Sequence, residues 1–160
     1  MSERQSKEFY YLGIADSVSE RSTCLRRKYG AIIVRNDEII STGYNGAPRG
    51  RKNCVDLGSC ERELRKIPPG ERYELCRSVH AEANAIISAP RRDMIGATLF
   101  LVGRDAKNGE LLESSMPCSM CKRLIINAGI ERVVMQSGND DFVVVKTEEW
   151  IENDDSLCGF

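Results

Sequence analysis

Histidine occurs once in these 160 residues, at His80, and tryptophan once, at Trp150. Aromatic residues make up only 6% of the chain. Single-stranded nucleic acids are usually held by stacking their bases on aromatic side chains set among basic ones, and no such patch is visible. An excess of one charge is lacking too, since 23 basic residues stand against 24 acidic ones. A polynucleotide binder is usually basic, so a nucleic-acid partner is not expected. No apolar run approaches the roughly 20 residues that a membrane-spanning helix needs, and no N-terminal stretch joins a charged start to an apolar middle. The expectation is a chain with no membrane partner, located in the cytoplasm.

Cysteine, by contrast, is plentiful. The chain has seven, an odd number. In a reducing compartment such cysteines read as metal ligands and free thiols rather than a disulfide framework. The length suits one domain over residues 1–160, able to bury about two-thirds of its unfolded surface.

Apolar residues from Phe9 to Val18 recur at helical spacing. Gly30–Val34 and Glu38–Tyr44, joined by the turn signal Asn36-Asp37, predict a β-hairpin. Residues 45–77 dissolve into glycine, proline and mixed charge and read as a long cysteine-containing loop, with a short helix near Glu61–Lys66. Loops of that length are uncommon unless functional or pinned. His80–Ser88 reads as a helix ended by Pro90, and Thr98–Val102 as a buried strand. Asn108-Gly109 predicts a hairpin turn returning through Glu110–Glu113. Cys118–Ala128 reads as a helix stopped by Gly129, followed by strands at Arg132–Gln136 and Phe142–Lys146. A terminal helix at Thr147–Glu152 would use Thr147 as its N-cap. Strands alternating with helices imply one α/β sheet covered by helices.

The chemistry is concentrated in two short runs. His80-Ala81-Glu82 opens one predicted helix and Pro117-Cys118-Ser119-Met120-Cys121 opens another. The pattern H-x-E…P-C-x-x-C is the signature of zinc-dependent nucleobase deaminases. One imidazole and two thiolates make three protein ligands, the count of a catalytic zinc site that keeps its fourth position for water. Cys118 and Cys121, three apart at a helix start, point to one side. Zinc brings the pKa of a bound water down to about 7, and Glu82 is the candidate general acid–base that moves its proton. A lone HxE or CxxC is a weak signal; the two together are specific.

Further segments resemble the cytidine and deoxycytidylate (dCMP) deaminases. Arg26-Arg27-Lys28-Tyr29-Gly30-Ala31-Ile32-Ile33-Val34 is similar to the family's first strand and the basic residues before it. Gly43-Tyr44-Asn45-Gly46-Ala47-Pro48-Arg49-Gly50 resembles its glycine-asparagine-glycine-x-proline loop, and Ile126-Asn127-Ala128-Gly129-Ile130 continues the likeness. The resemblance covers most of residues 8–135. It implies a cytidine-deaminase-like three-layer α/β/α fold with a mixed five-stranded sheet, a homo-oligomer (hexamer or dimer), and hydrolysis of dCMP to dUMP and ammonia. It also implies a substrate contact for Asn45, with Arg26, Arg27 or Arg49 as candidates for the phosphate, where an arginine suits bidentate contact.

Two departures stand out. Gly103–Met116 is inserted before Pro117, so that Ser114, Ser115 and Met116 occupy the place of pocket-wall residues. Cys24, Cys54, Cys60 and Cys76 lie outside the zinc motifs. Some members of the family hold a second, structural zinc near the segments of Cys24 and Cys54, and Cys60 and Cys76 would complete a four-thiolate site. Cys158 reads as a spare. The alternatives to a dCMP deaminase are a deaminase of another nucleobase or modified nucleotide, a tRNA or polynucleotide deaminase, and a non-catalytic zinc-stabilised scaffold. Residues 49–77, with eight basic against five acidic residues, keep the polynucleotide reading open. Glu82 argues against the scaffold, since a structural zinc has no use for it.

Overall fold

A computed structural model describes residues 3–153; Cys158 lies outside the described residues. Helix α1 (Lys7–Ser19) starts at Ser6, whose hydroxyl accepts from the Phe9 amide. Strands β1 (Arg27–Arg35) and β2 (Glu38–Tyr44) follow. Their two-residue turn, Asn36-Asp37, holds both residues at positive φ, the conformation that matches the twist of a tight hairpin. Next come α2 (Cys54–Leu57), α3 (Glu61–Leu64) and a single 3-10 turn at Tyr73–Leu75. Helices α4 (Ala81–Ile87) and α5 (Arg91–Met94) lead to β3 (Thr98–Asp105). Helix α6 (Ser119–Ala128), β4 (Arg132–Ser137), β5 (Asp141–Lys146) and α7 (Thr147–Asn153) complete the described chain.

The five strands form one mixed sheet in the order β2-β1-β3-β4-β5. Only β3 and β4 run parallel, because a whole helix, α6, carries the chain across between them. β1 alternates its side chains between the faces, as a strand must. Ile32 and Val34 pack on one face with Tyr11, Leu12 and Ala15 of α1. Ala31 and Ile33 pack on the other with Ala81 and Ala85 of α4, Ile125 and Ala128 of α6, and Trp150 of α7. Helices therefore cover both faces, in the expected three-layer α/β/α arrangement.

Several expectations are corrected. The long loop contains two one-turn helices and a 3-10 turn; the helix at Cys54–Leu57 was not anticipated. Its sequence, with Gly58 in the left-handed region as terminator, is too short to carry a helical period. Pro90 does not merely end α4. It caps the unforeseen α5, a position proline tolerates because the first helical amides need no partner. The Asn108-Gly109 turn exists, with Gly109 at φ 75°, but the return is one bridge, Arg104 with Leu111, and not a strand. Thr147 is the first residue of α7, and its hydroxyl donates to the Ile130 and Glu131 carbonyls rather than capping the helix.

Candidate active site

The end of β2 and the turn that follows it set the position of α4. A Cβ on Gly43 would sit 2.4 Å from the Ala81 carbonyl oxygen and 2.4 Å from the Ala85 amide nitrogen, so only glycine lets α4 lie this close to the sheet. The Ser41 hydroxyl donates to the Ala85 carbonyl at 2.7 Å, and the Asn84 amide donates to the Tyr44 carbonyl at 2.8 Å. Gly46 and Val79 exchange backbone hydrogen bonds of 3.2 and 2.7 Å. These ties fix the residue before His80. His80 is then the N-cap of α4 and Glu82 lies in its first turn, buried.

Cys118 is the N-cap of α6 and Cys121 lies one turn in. The Nδ1 of His80 is 3.4 Å from the Sγ of Cys118 and 3.4 Å from that of Cys121. Among the described residues this is the one group of three or more donors compatible with a metal, with all ligand atoms within 4.8 Å of one another. Zinc bonds of about 2.0–2.3 Å in tetrahedral geometry put ligand atoms roughly 3.5–3.8 Å apart, so the donor set fits a zinc ion in both chemistry and spacing.

Without metal, protons hold the group together. Hydrogen bonding to Cys118, and then to Cys76, pushes His80 up to about 10. The Cys118 thiol is pulled down to about 4 by the hydrogen bond from Cys121, with the His80 bond assisting. Cys121 is raised, because it holds the proton that it gives in that bond and is buried. Burial likewise raises Glu82. The hydrogen bonds that favour the Cys118 thiolate favour the form that zinc binds.

A cavity of about 140 Å³ opens over these residues, with His80, Glu82 and Cys118 in its wall. Tyr29 of β1, Tyr73 of the 3-10 turn and Met116 close it, and the same three border a wider groove of about 640 Å³ beside it. The Tyr73 and His80 rings are perpendicular, with centroids 5.1 Å apart at 84°.

The other sequence-derived candidates divide. Asn45 lines the cavity, but its side chain also accepts from the Tyr29 amide at 2.8 Å and donates to the Arg27 carbonyl at 2.9 Å. Arg26 and Arg27 line the cavity. Arg26 is ion-paired with Glu63 at 3.1 Å. Arg49 is exposed and borders neither cavity. Met116 does form pocket wall and Ser114 borders the outer groove, while Ser115 is buried away from both.

Cys24, Cys60 and Cys76 line the cavity, and Cys54 is buried. The Cys54 thiol is raised by burial and then by the charges of Cys24, Cys60 and Cys76. The four thus gather in one region, drawn together partly by the Thr23–Asn45 and Val55–Thr23 backbone hydrogen bonds of 3.2 and 3.3 Å. They do not form a metal-compatible group as tight as that of His80. All six described cysteines are free thiols. Arg62 and Tyr73 were missed by sequence reasoning. Arg62 sits in the one-turn helix α3 and Tyr73 in the 3-10 turn, and only the Pro68-Pro69 turn signal between them hinted that the segment doubles back.

The fold and the donor group together define a class, and residues 5–137 match the model of the cytidine and deoxycytidylate deaminase zinc-binding region. The chain belongs to this family. It is 41% identical over 130 residues to the deoxycytidylate deaminase of Mycobacterium phage D29, covering 78% of this chain and 90% of that one. It is 34% identical over 131 residues to the deoxycytidylate deaminase of Schizosaccharomyces pombe, covering 82% of this chain but 37% of that longer protein. Among solved structures it resembles the dCMP deaminase of cyanophage S-TIM5 in complex with dCMP and dUMP, with a TM-score of 0.56 and 28% identity. That match covers 82% of this chain and 83% of the other. Among the described residues no helix is long and apolar enough to cross a membrane.

Proposed function

We propose that the chain is a zinc-dependent hydrolytic deaminase that converts dCMP and water to dUMP and ammonia. The observation that carries this reading is the His80–Cys118–Cys121 donor group with the buried carboxyl of Glu82 beside it. His80, Cys118 and Cys121 would hold the zinc. When bound, the metal supplies Lewis acidity that makes water a competent nucleophile near neutral pH.

The chain's own residues do the rest. Glu82 takes a proton from the attacking water and passes it to the ring nitrogen next to the amine-bearing carbon. It then takes the second proton from the hydroxyl now on that carbon, leaving the carbonyl of the product, and delivers it to the departing amine as the carbon–nitrogen bond breaks. Its burial favours the neutral form it must pass through. Tyr29, Tyr73 and Met116 exclude water from the base. Asn45, with one N–H and one lone pair remaining after its bonds to β1, orients the nucleotide.

A second, structural zinc on Cys24, Cys54, Cys60 and Cys76 belongs to the same proposal, supported by the proximity of the buried Cys54 to the three cavity-lining thiols. Such a site would pin the loop that closes the cavity. Assembly as a homo-oligomer is supported by apolar side chains left exposed on the site-bearing helices, Ile87, Met120 and Leu124. A reducing, cytoplasmic setting suits the free thiols.

The test is a substrate panel. Zinc-loaded protein is offered dCMP, dCTP, cytidine, deoxycytidine, purine nucleotides and a tRNA pool, and ammonia release is measured. dCMP should give the highest kcat/KM; a preference for any other member would reassign the substrate.

A further inference from the structure

We infer that Arg62 is the residue that reads the phosphate of the nucleotide substrate; the inference rests on the deaminase reading above. Arg62 comes from α3 and lines the cavity that holds His80 and Glu82. Only 5% of its surface is exposed. Among the described residues no carboxylate lies within ion-pairing distance of it. Arginines are almost never this buried unless paired, and an uncompensated buried charge is costly. The other two arginines of the cavity differ: Arg26 is neutralised by Glu63 and Arg27 is exposed.

The guanidinium is held rather than loose. Its Nη2 donates to the carbonyls of Pro68 at 2.9 Å and Glu71 at 2.7 Å. Its Cζ lies 4.6 Å from the centroid of the Tyr73 ring. These contacts fix the plane and leave Nε, which is buried, without a partner; Nη1 makes no hydrogen bond within the described residues either. A planar fork with unused donors, positively charged and dry, matches an anion that accepts in pairs. A phosphate monoester does so and carries about −1.5 to −2 charges at neutral pH.

Position agrees with chemistry. Tyr73 carries the guanidinium of Arg62 over its ring and stands perpendicular to the His80 imidazole, so one aromatic ring touches both the guanidinium and the donor group. A nucleotide that enters amine-first toward Glu82 leaves its charged end at the wall where Arg62 waits. In the free protein the face of Tyr73 supplies a weak substitute for that anion.

A rival partner exists within the chain, because a four-thiolate zinc site near Cys60 and Cys76, which line the same cavity as Arg62, would be negatively charged. The experiment separates the two. Arg62→Gln and Arg62→Lys are compared with the wild-type holoenzyme for kcat/KM on dCMP and on deoxycytidine, with zinc content determined in parallel. The loss for dCMP in Arg62→Gln should exceed the loss for deoxycytidine by about 10- to 100-fold, with unchanged zinc content and partial recovery in Arg62→Lys. Equal losses on both substrates, or a fall in zinc content, overturn the assignment and make Arg62 structural. Should the variants not fold, a crystal structure of the wild-type protein with dUMP decides. A phosphate oxygen within hydrogen-bond distance of Arg62 upholds the proposal, and a phosphate seated elsewhere overturns it. Wild-type protein that does not turn over dCMP at all removes the functional reading, and this proposal with it.

Discussion

His80 Nδ1 and Cys118 Sγ stand 3.4 Å apart although 38 residues separate them in the chain. Each is the N-cap of its helix, and the two helices α4 and α6 pack on the same face of the sheet. His80→Ala and Cys118→Ser should each remove one zinc per chain, as read by metal analysis of the purified protein. Zinc affinity should also rise with pH. His80 in the metal-free protein holds its proton up to about 10, and zinc must displace it. The affinity measured against a competing chelator therefore increases about tenfold per pH unit for each proton released, until His80 is neutral.

Glu82 is separable from metal binding. Glu82→Gln should keep the catalytic zinc and fall in kcat by about 10²- to 10⁴-fold, the usual contribution of positioned acid–base catalysis. Activity near wild type would mean that another group moves the proton.

How much of this was legible in the sequence follows from range. His80, Glu82, Cys118 and Cys121 could be read because the chemistry is written into two short runs whose helical starts fix their directions. The five strands were visible because their apolar runs are bounded by turn residues. The ends of β1 and β3 were underestimated: Arg27, Lys28, Arg104 and Asp105 are polar, yet pair with one another across the sheet. After Asn108-Gly109 the chain does return alongside β3, as the local turn chemistry indicates, with one bridge between Arg104 and Leu111 and no regular strand beyond it. Arg62 and Tyr73 were invisible because their meeting depends on how a loop without periodicity folds back over the cavity.

Gly43 is a point where the sheet and α4 leave no room for a Cβ. Gly43→Ala should push α4 outward and destabilise the protein by about 1–3 kcal/mol, the usual cost of overpacking. It should lower turnover as well, because Glu82 moves with α4. Chemical denaturation and kcat measured on the same preparation check both effects. The alternative of an open surface is excluded by the backbone atoms of Ala81 and Ala85 that the new methyl would meet.

On the other face, the Tyr11 hydroxyl donates to the Asp37 carboxylate at the β1–β2 turn. The bond lowers Asp37 and raises Tyr11 to about 12. A depressed carboxyl contributes stability above its unfolded pKa, near 4, which is lost as pH falls through the lower folded value. A raised phenol contributes stability below about 10, which is lost as pH climbs through its folded value. Tyr11→Phe should thus be destabilised relative to wild type between about pH 4 and 10, and the gap in melting temperature should narrow at either extreme. A gap independent of pH would mean that lost packing of the hydroxyl, not this hydrogen bond, sets the difference.

Metal content bears on the cysteine-rich loop. Two zincs per chain are expected, falling to one in Cys60→Ser, with a loss of thermal stability larger than the loss of turnover. A single zinc in the wild-type protein would leave Cys24, Cys54, Cys60 and Cys76 as free thiols only.

The most direct measurement is a product balance on dCMP. Zinc-loaded protein should release dUMP and ammonia in equal amounts, stop when a chelator strips the metal, and resume when zinc is restored. Intact dCMP after incubation with fully zinc-loaded protein would contradict the account at its centre.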